Sequence, residues 1–188
     1  MTQTKLVLLD RDGVINYDSP DYILNADQWL PIPGSLQAIR RLKEAGIEVA
    51  ICSNQSGLGR DMMNQHDFAG IQHKMMTAIA QAGGQIDYMA YCPHHPDDAC
   101  ACRKPKAGLL LEAMEAVKSD VSNDEVVMIG DSLRDIQAAH CAGVRSMLVG
   151  SGYGDAQKIL SQAQLLDGSM MLYDNLAACV DVILGEVS

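Results

Sequence analysis

Aromatic residues are scarce in this chain, cations are outnumbered, and no long apolar run occurs. Aromatics make up 4% of 188 residues, with one Trp and one Phe. Aliphatic side chains and methionine must therefore fill the core, in a chain long enough to bury one. Lys and Arg total 14 against 24 Asp and Glu, a formal net charge of -10. That balance argues against nucleic acid or an anionic membrane as the main partner. No stretch approaches the roughly 18 apolar residues of a membrane span, and the N-terminus lacks a secretory apolar region followed by a cleavage site. A soluble, cytoplasmic, monomeric protein is expected. Internal repeats, low-complexity runs and interdomain linkers are also missing, so one domain over residues 1–188 is expected.

What is present begins with residues 5–16, KLVLLDRDGVIN. The branched, apolar 5–9 run has no helical spacing and reads as a buried strand. Asp10 and Asp12 stand where it stops, beside Gly13. Two carboxylates at a strand mouth repel each other and call for a cation between them. A polar loop, 17–28, follows. Pro33-Gly34 punctuates, Ser35 can cap a helix over 35–45, and Gly46 suits its C-terminal end. A second strand, 47–52, runs into Ser53-Asn54-Gln55-Ser56-Gly57, small groups able to hold an anion's oxygens. A long helix over 64–82 carries His66, His73 and methionines best read as surface and core. Strand 86–91, helix 109–117, strand 126–129, a helix capped by Ser132 and ending at Ala142, and strand 145–149 come next. Helix 155–163, a short strand at 170–173 and helix 175–184 close the chain.

Strands and helices alternate, which predicts an α/β fold: a Rossmann-like, doubly wound parallel sheet with helices on both faces. Asp10, Ser53, the 92–104 loop and Asp131 each follow one of the first four strands. Parallel strands bring those exits to one edge, so acid, hydroxyl and base converge. Asp10, Asp131 and Asp135 offer hard oxygen ligands for Mg2+. One Asp can attack phosphorus, Asp12 can protonate a leaving oxygen and then activate water, and Ser53 and Lys104 can hold the transferring phosphoryl group. The spacings leave no room for a separate cap domain, so loops 17–28 and 92–106 should wall an open site.

Six cysteines are unevenly placed. Cys52, Cys141 and Cys179 lie singly in apolar segments and are expected to be buried and inert. Cys92, Cys100 and Cys102 share one loop with His94 and His95. Three thiolates and an imidazole make a closed tetrahedral set for structural Zn2+, one that would stiffen the loop presenting Arg103 and Lys104.

The motifs DRDG at 10–13, SNQSG at 53–57, Arg103-Lys104-Pro105 and GDSLRD at 130–135 resemble, in order, those of the haloacid dehalogenase superfamily. The closer likeness is to its heptose bisphosphate phosphatases and the related histidinol phosphatases, which share the zinc loop. The resemblance implies that Asp10 is the nucleophile and Asp12 the acid/base. It implies that Asp10, the carbonyl of Asp12, and Asp131 hold Mg2+, and that Cys92, His94, Cys100 and Cys102 hold Zn2+. It also implies that Ser53 and Lys104 stabilise the phosphoryl group. Asp18, Ser19, Pro20, Asp21, Asn54, Gln55, Ser56 and Arg103 would then touch substrate. Ser132 stands where some members carry lysine, with Arg134 nearby. The implied activity is hydrolysis of a small sugar bisphosphate through an aspartyl-phosphate. Histidinol phosphate as substrate, or a zinc-stabilised binding protein without catalysis, are the alternatives.

Overall fold

The computed structural model describes residues 3–117 and 121–186. Six strands, β1 (Leu6–Leu9), β2 (Glu48–Asn54), β3 (Tyr88–Cys92), β4 (Val126–Gly130), β5 (Arg145–Val149) and β6 (Leu172–Tyr173), form one sheet in the order β3-β2-β1-β4-β5-β6. Every neighbouring pair is parallel. The expected doubly wound architecture is thus observed. Chain order reverses between β1 and β4, the switch point at which parallel sheets open a crevice beyond their strand ends.

Both faces of the sheet are covered, so β1 is apolar at every position and wholly buried. Its side chains still alternate. Val7 and Leu9 join Val49, Ile51, Val127 and Ile129 on one face. There they meet helices α1 (Ser35–Glu44), α3 (Gln65–Gln81) and α7 (Leu176–Leu184) through Ile39, Leu42, Ile71, Met75 and Val180. Leu6 and Leu8 face the other way, with Ala50, Cys52 and Met128, against α4 (Gly108–Val117) and α5 (Leu133–Ala142). A smaller cluster of Ile136, Leu148, Ala163 and Met170 seats α6 (Ala156–Ala163) at the sheet's far edge. Asn64, Asp155 and Asn175 each cap the helix that follows by accepting a backbone N–H. No described helix is long and apolar enough to cross a membrane.

Local expectations fail at four places. Ser35 is no cap: Gly34, at φ 86, precedes α1, and the Ser35 hydroxyl donates to the Ile15 carbonyl at 2.7 Å. The left-handed turn suits glycine, which frees Ser35 to tie the helix start to the loop after β1. β2 runs on through Ser53 and Asn54, and Ser56–Gly59 form a short helix, α2, rather than loop. Cys141 is exposed. On α5 the buried side carries Ala138, Ala139 and Ala142, so Arg134 and Cys141 fall on the outward stripe.

Candidate active site

The site is assembled from strand exits. Asp10 leaves β1 with its N–H donating to the Ile129 carbonyl of β4 at 3.0 Å. Asp131 leaves β4 beside it. Gly13, at φ 81, is required here, because a Cβ would sit 2.5 Å from the Asp131 Oδ2. The Ser151 hydroxyl donates to the Gly13 carbonyl at 2.6 Å, fastening the β5 exit to the β1 exit.

Carboxylate oxygens of Asp10, Asp131 and Asp135 lie within 4.8 Å of one another. Burial pushes the Asp10 carboxyl up to about 6, Lys104 opposing and Asp135 and Asp12 adding to the rise. Burial likewise pushes Asp131 up to about 8, reinforced by the charges of Asp135 and Asp10. Crowded, proton-retaining acids of this kind suit a hard divalent cation such as Mg2+. Asp135 is otherwise engaged: fully buried, it accepts from the Ser132 N–H at 3.0 Å and hydroxyl at 2.6 Å, and pairs with Lys104 Nζ at 2.6 Å. Asp10 and Asp131 are the freer of the three to hold a cation.

Lys104 is 1% exposed. Its ammonium donates to the Cys52 carbonyl at 2.7 Å and forms ion pairs with Asp10 Oδ1 at 3.0 Å and Asp135 Oδ1 at 2.6 Å. Burial opposes its charge, but Asp10 and Asp135 outweigh that and push its pKa up. Asn54 fixes the Lys104 backbone from both sides, donating to its carbonyl at 3.0 Å and accepting its N–H at 3.1 Å.

Asp12 accepts from Arg11, Asn16 and Gln55. Burial alone would raise its pKa, yet the Arg11 charge and these hydrogen bonds hold it below the usual carboxylate range. Gln55 also donates to the Ser53 hydroxyl at 2.8 Å, and Ser53 is buried behind it. Expected at the phosphoryl group, Ser53 instead lies outside the lining of the site, which Asn54, Gln55 and Ser56 reach.

These groups open into a cavity of about 350 Å³. Asp18, Ser19 and Pro20 line one wall and Arg103 and Lys104 another, as expected. Asp21 is exposed and does not line it; Tyr22 and Ile23 do, because the loop turns at Tyr22, φ 66. A third wall, Tyr153, Gly154 and Ile159, was missed. The same edge argument extended to the fifth strand exit would have found it. Next to this cavity lies a second of about 470 Å³, lined by Arg60, Arg103, Lys106 and Arg134, with no Asp or Glu among its described lining residues. Arg60 and Lys106 carried no motif and were not singled out.

The cysteine loop closes as expected. Cys92 Sγ lies 3.6 Å from Cys100 Sγ, Cys102 Sγ lies 3.5 Å from Cys100 Sγ, and His94 Nδ1 stands 3.4 and 3.2 Å from Cys92 and Cys102. The edges of a tetrahedron around Zn2+ with bonds of about 2.3 Å would be a little longer, so the four fit a closed site after slight expansion. His95 turns away and accepts the Asp97 N–H, capping a short 3-10 turn.

A doubly wound sheet with an acid cluster at its switch point, a buried lysine and a second carboxylate two residues after the first defines a class. Residues 9–143 match the haloacid dehalogenase-like hydrolases, and the chain belongs to that family. It is 45% identical to the D-glycero-beta-D-manno-heptose-1,7-bisphosphate 7-phosphatase of Bordetella bronchiseptica, over 97% of this chain and 99% of that one. To the enzyme of that name from Pseudomonas aeruginosa it is 39% identical, over 95% and 97%. The crystal structure of D,D-heptose 1,7-bisphosphate phosphatase from B. bronchiseptica, complexed with magnesium and phosphate, matches with TM-score 0.89 at 42% identity, covering 98% of this chain and all of that one.

Proposed function

We propose that this chain, as one catalytic domain, is a Mg2+-dependent phosphatase that removes the 7-phosphate of D-glycero-D-manno-heptose 1,7-bisphosphate. The carrying observation is the buried Asp10–Asp131–Lys104 cluster with Asp12 beside it. Bound between Asp10, the Asp12 carbonyl and Asp131, Mg2+ would neutralise the transferring phosphoryl group and leave Asp10 ionised. An Asp10 oxygen attacks phosphorus, the bond to the sugar oxygen breaks with its electron pair on that oxygen, and Asp12 supplies the proton. Water then attacks the aspartyl-phosphate, gives its proton to Asp12, and releases phosphate and the Asp10 carboxylate. Lys104 holds charge at the nucleophile; Asn54, Gln55 and Ser56 line the phosphoryl end. Zn2+ on Cys92, His94, Cys100 and Cys102 would brace the loop that ends in Arg103 and Lys104.

The cationic second cavity supports a bisphosphate over histidinol phosphate. Arg60, Arg103 and Arg134 suit a second phosphate and repel the ammonium of histidinol. The test is phosphate release from a panel of sugar phosphates and histidinol phosphate. The heptose bisphosphate should give the highest kcat/KM, and folded Asp10→Asn should turn over nothing, since an amide forms no acyl phosphate. A preference for histidinol phosphate would remove the substrate assignment; near-wild-type turnover by Asp10→Asn would remove the mechanism.

A further inference from the structure

Arg11 lies between the two reactive acids, yet its side chain is 3% exposed and its own function is unassigned. It turns onto Asp12 as a fork, Nε to Oδ1 at 3.0 Å and Nη2 to Oδ2 at 2.8 Å. Its Nη1 is buried without a partner. Asn16 Nδ2 adds a second donor to Oδ1 at 2.8 Å, and Gln55 Nε2 a second to Oδ2 at 3.0 Å. A carboxylate has about four lone-pair positions, and all are taken. In this arrangement Asp12 has no place for the proton it must deliver.

One contact has to open, and the partners differ in how readily they can. The Arg11 fork is charged, bidentate and buried. Asn16 is fully buried and also donates to the Tyr17 carbonyl at 2.9 Å. Gln55 borders the cavity and has the Ser53 hydroxyl as a second partner, so it can leave Asp12 without losing every acceptor. We propose that Arg11 is a positioning residue that fixes the plane of the Asp12 carboxylate, while Gln55 is a latch whose release frees Oδ2 for the proton. This rests on the acid/base reading of Asp12. The proton passes from Oδ2 to the sugar oxygen as the phosphorus–oxygen bond breaks, and returns from water in the second step.

A purely structural arginine and a positioning one differ in leaving-group dependence. An alkyl sugar phosphate needs the proton; p-nitrophenyl phosphate, whose phenolate leaves unaided, does not. For Arg11→Gln, kcat/KM should fall about 100-fold on the sugar phosphate, the lower end of the range attributed to general acids. On the aryl ester it should change less than about threefold, with a burst of p-nitrophenol because water activation has slowed. Arg11→Lys keeps the charge, loses the fork and should split the substrates in the same direction, with thermal melts confirming the fold. Gln55→Met should keep the wild-type ratio between the two substrates. Equal losses on both substrates, no loss on either, or a wild-type Arg11→Lys overturns the inference; a split in Gln55→Met as large as that in Arg11→Gln overturns the latch. Asp12→Asn is the control. If it shows the split and Arg11→Gln does not, only this inference falls. If Asp12→Asn leaves the sugar phosphate untouched, the acid/base reading falls with it.

Discussion

The ammonium of Lys104 reaches Asp10, Asp135 and a backbone carbonyl while almost none of it meets water. Removing it strands two buried acids, so Lys104→Ala should lose roughly 3–5 kcal/mol of stability as well as turnover on every substrate. Denaturant melts beside kcat/KM would check both. Arg103 borders both cavities, so Arg103→Ala should cost about 10- to 100-fold in kcat/KM for the heptose bisphosphate, roughly 1.5–3 kcal/mol, and spare a small generic ester. Equal losses on both substrates would place Arg103 in the phosphoryl clamp instead. Asp10 and Asp131 titrate above their ordinary values, so the metal-free fold binds more protons than the unfolded chain and loses stability as pH rises from about 4 to about 8. Mg2+ must displace the Asp131 proton, so its affinity should rise about tenfold per pH unit between about 6 and 8 and level off above. Titration calorimetry across that range would show it; a flat profile would mean the acid is already ionised. Asp10, Asp12 and Asp131 were legible because charge stands out where an apolar run stops, and Lys104 because it lies in the Arg103-Lys104-Pro105 motif of the loop after the third strand. Arg60, Ser53's retreat behind Gln55 and the inward turn at Tyr22 were not, since they depend on rotamers and a left-handed backbone that no spacing encodes.

At the scale of elements, strands and helices were recoverable from periodicity, and the failures fall at their ends. β2 outruns its apolar residues because Ser53 and Asn54 still pair with Tyr91 and Cys92 of β3, a tertiary reason invisible locally. The loop between β3 and α4 was legible for a different reason: its ligands are chemically distinctive and near in sequence. It is also tied to the end of β2, since Asn54 clasps the Lys104 backbone just beyond the cysteines. Purified protein should carry about one zinc per chain by the four-ligand count. Cys102→Ser should lower zinc content and melting temperature together, and cut kcat more than it alters the Mg2+ requirement. Protein purified without chelator that holds no zinc would end that assignment.

For the molecule as a whole, the acid cluster depends on pairing between distant segments. β1 is flanked by β2 and by β4, and β4 enters only after β3, the cysteine loop and α4 have been traversed. Contacts close in sequence form sooner than those that must close long loops. During refolding, zinc capture by Cys92–Cys102 should therefore precede recovery of phosphatase activity, which stopped-flow release from a coloured zinc chelator can time against phosphate production. Simultaneous recovery would mean the ligands assemble only with the full sheet. A chain still emerging during synthesis, with Asp10 already made but the Asp131 strand yet to arrive, thus has no completed acid cluster: the order of strands in the sheet works as a clock that keeps the enzyme silent until its folding is nearly done.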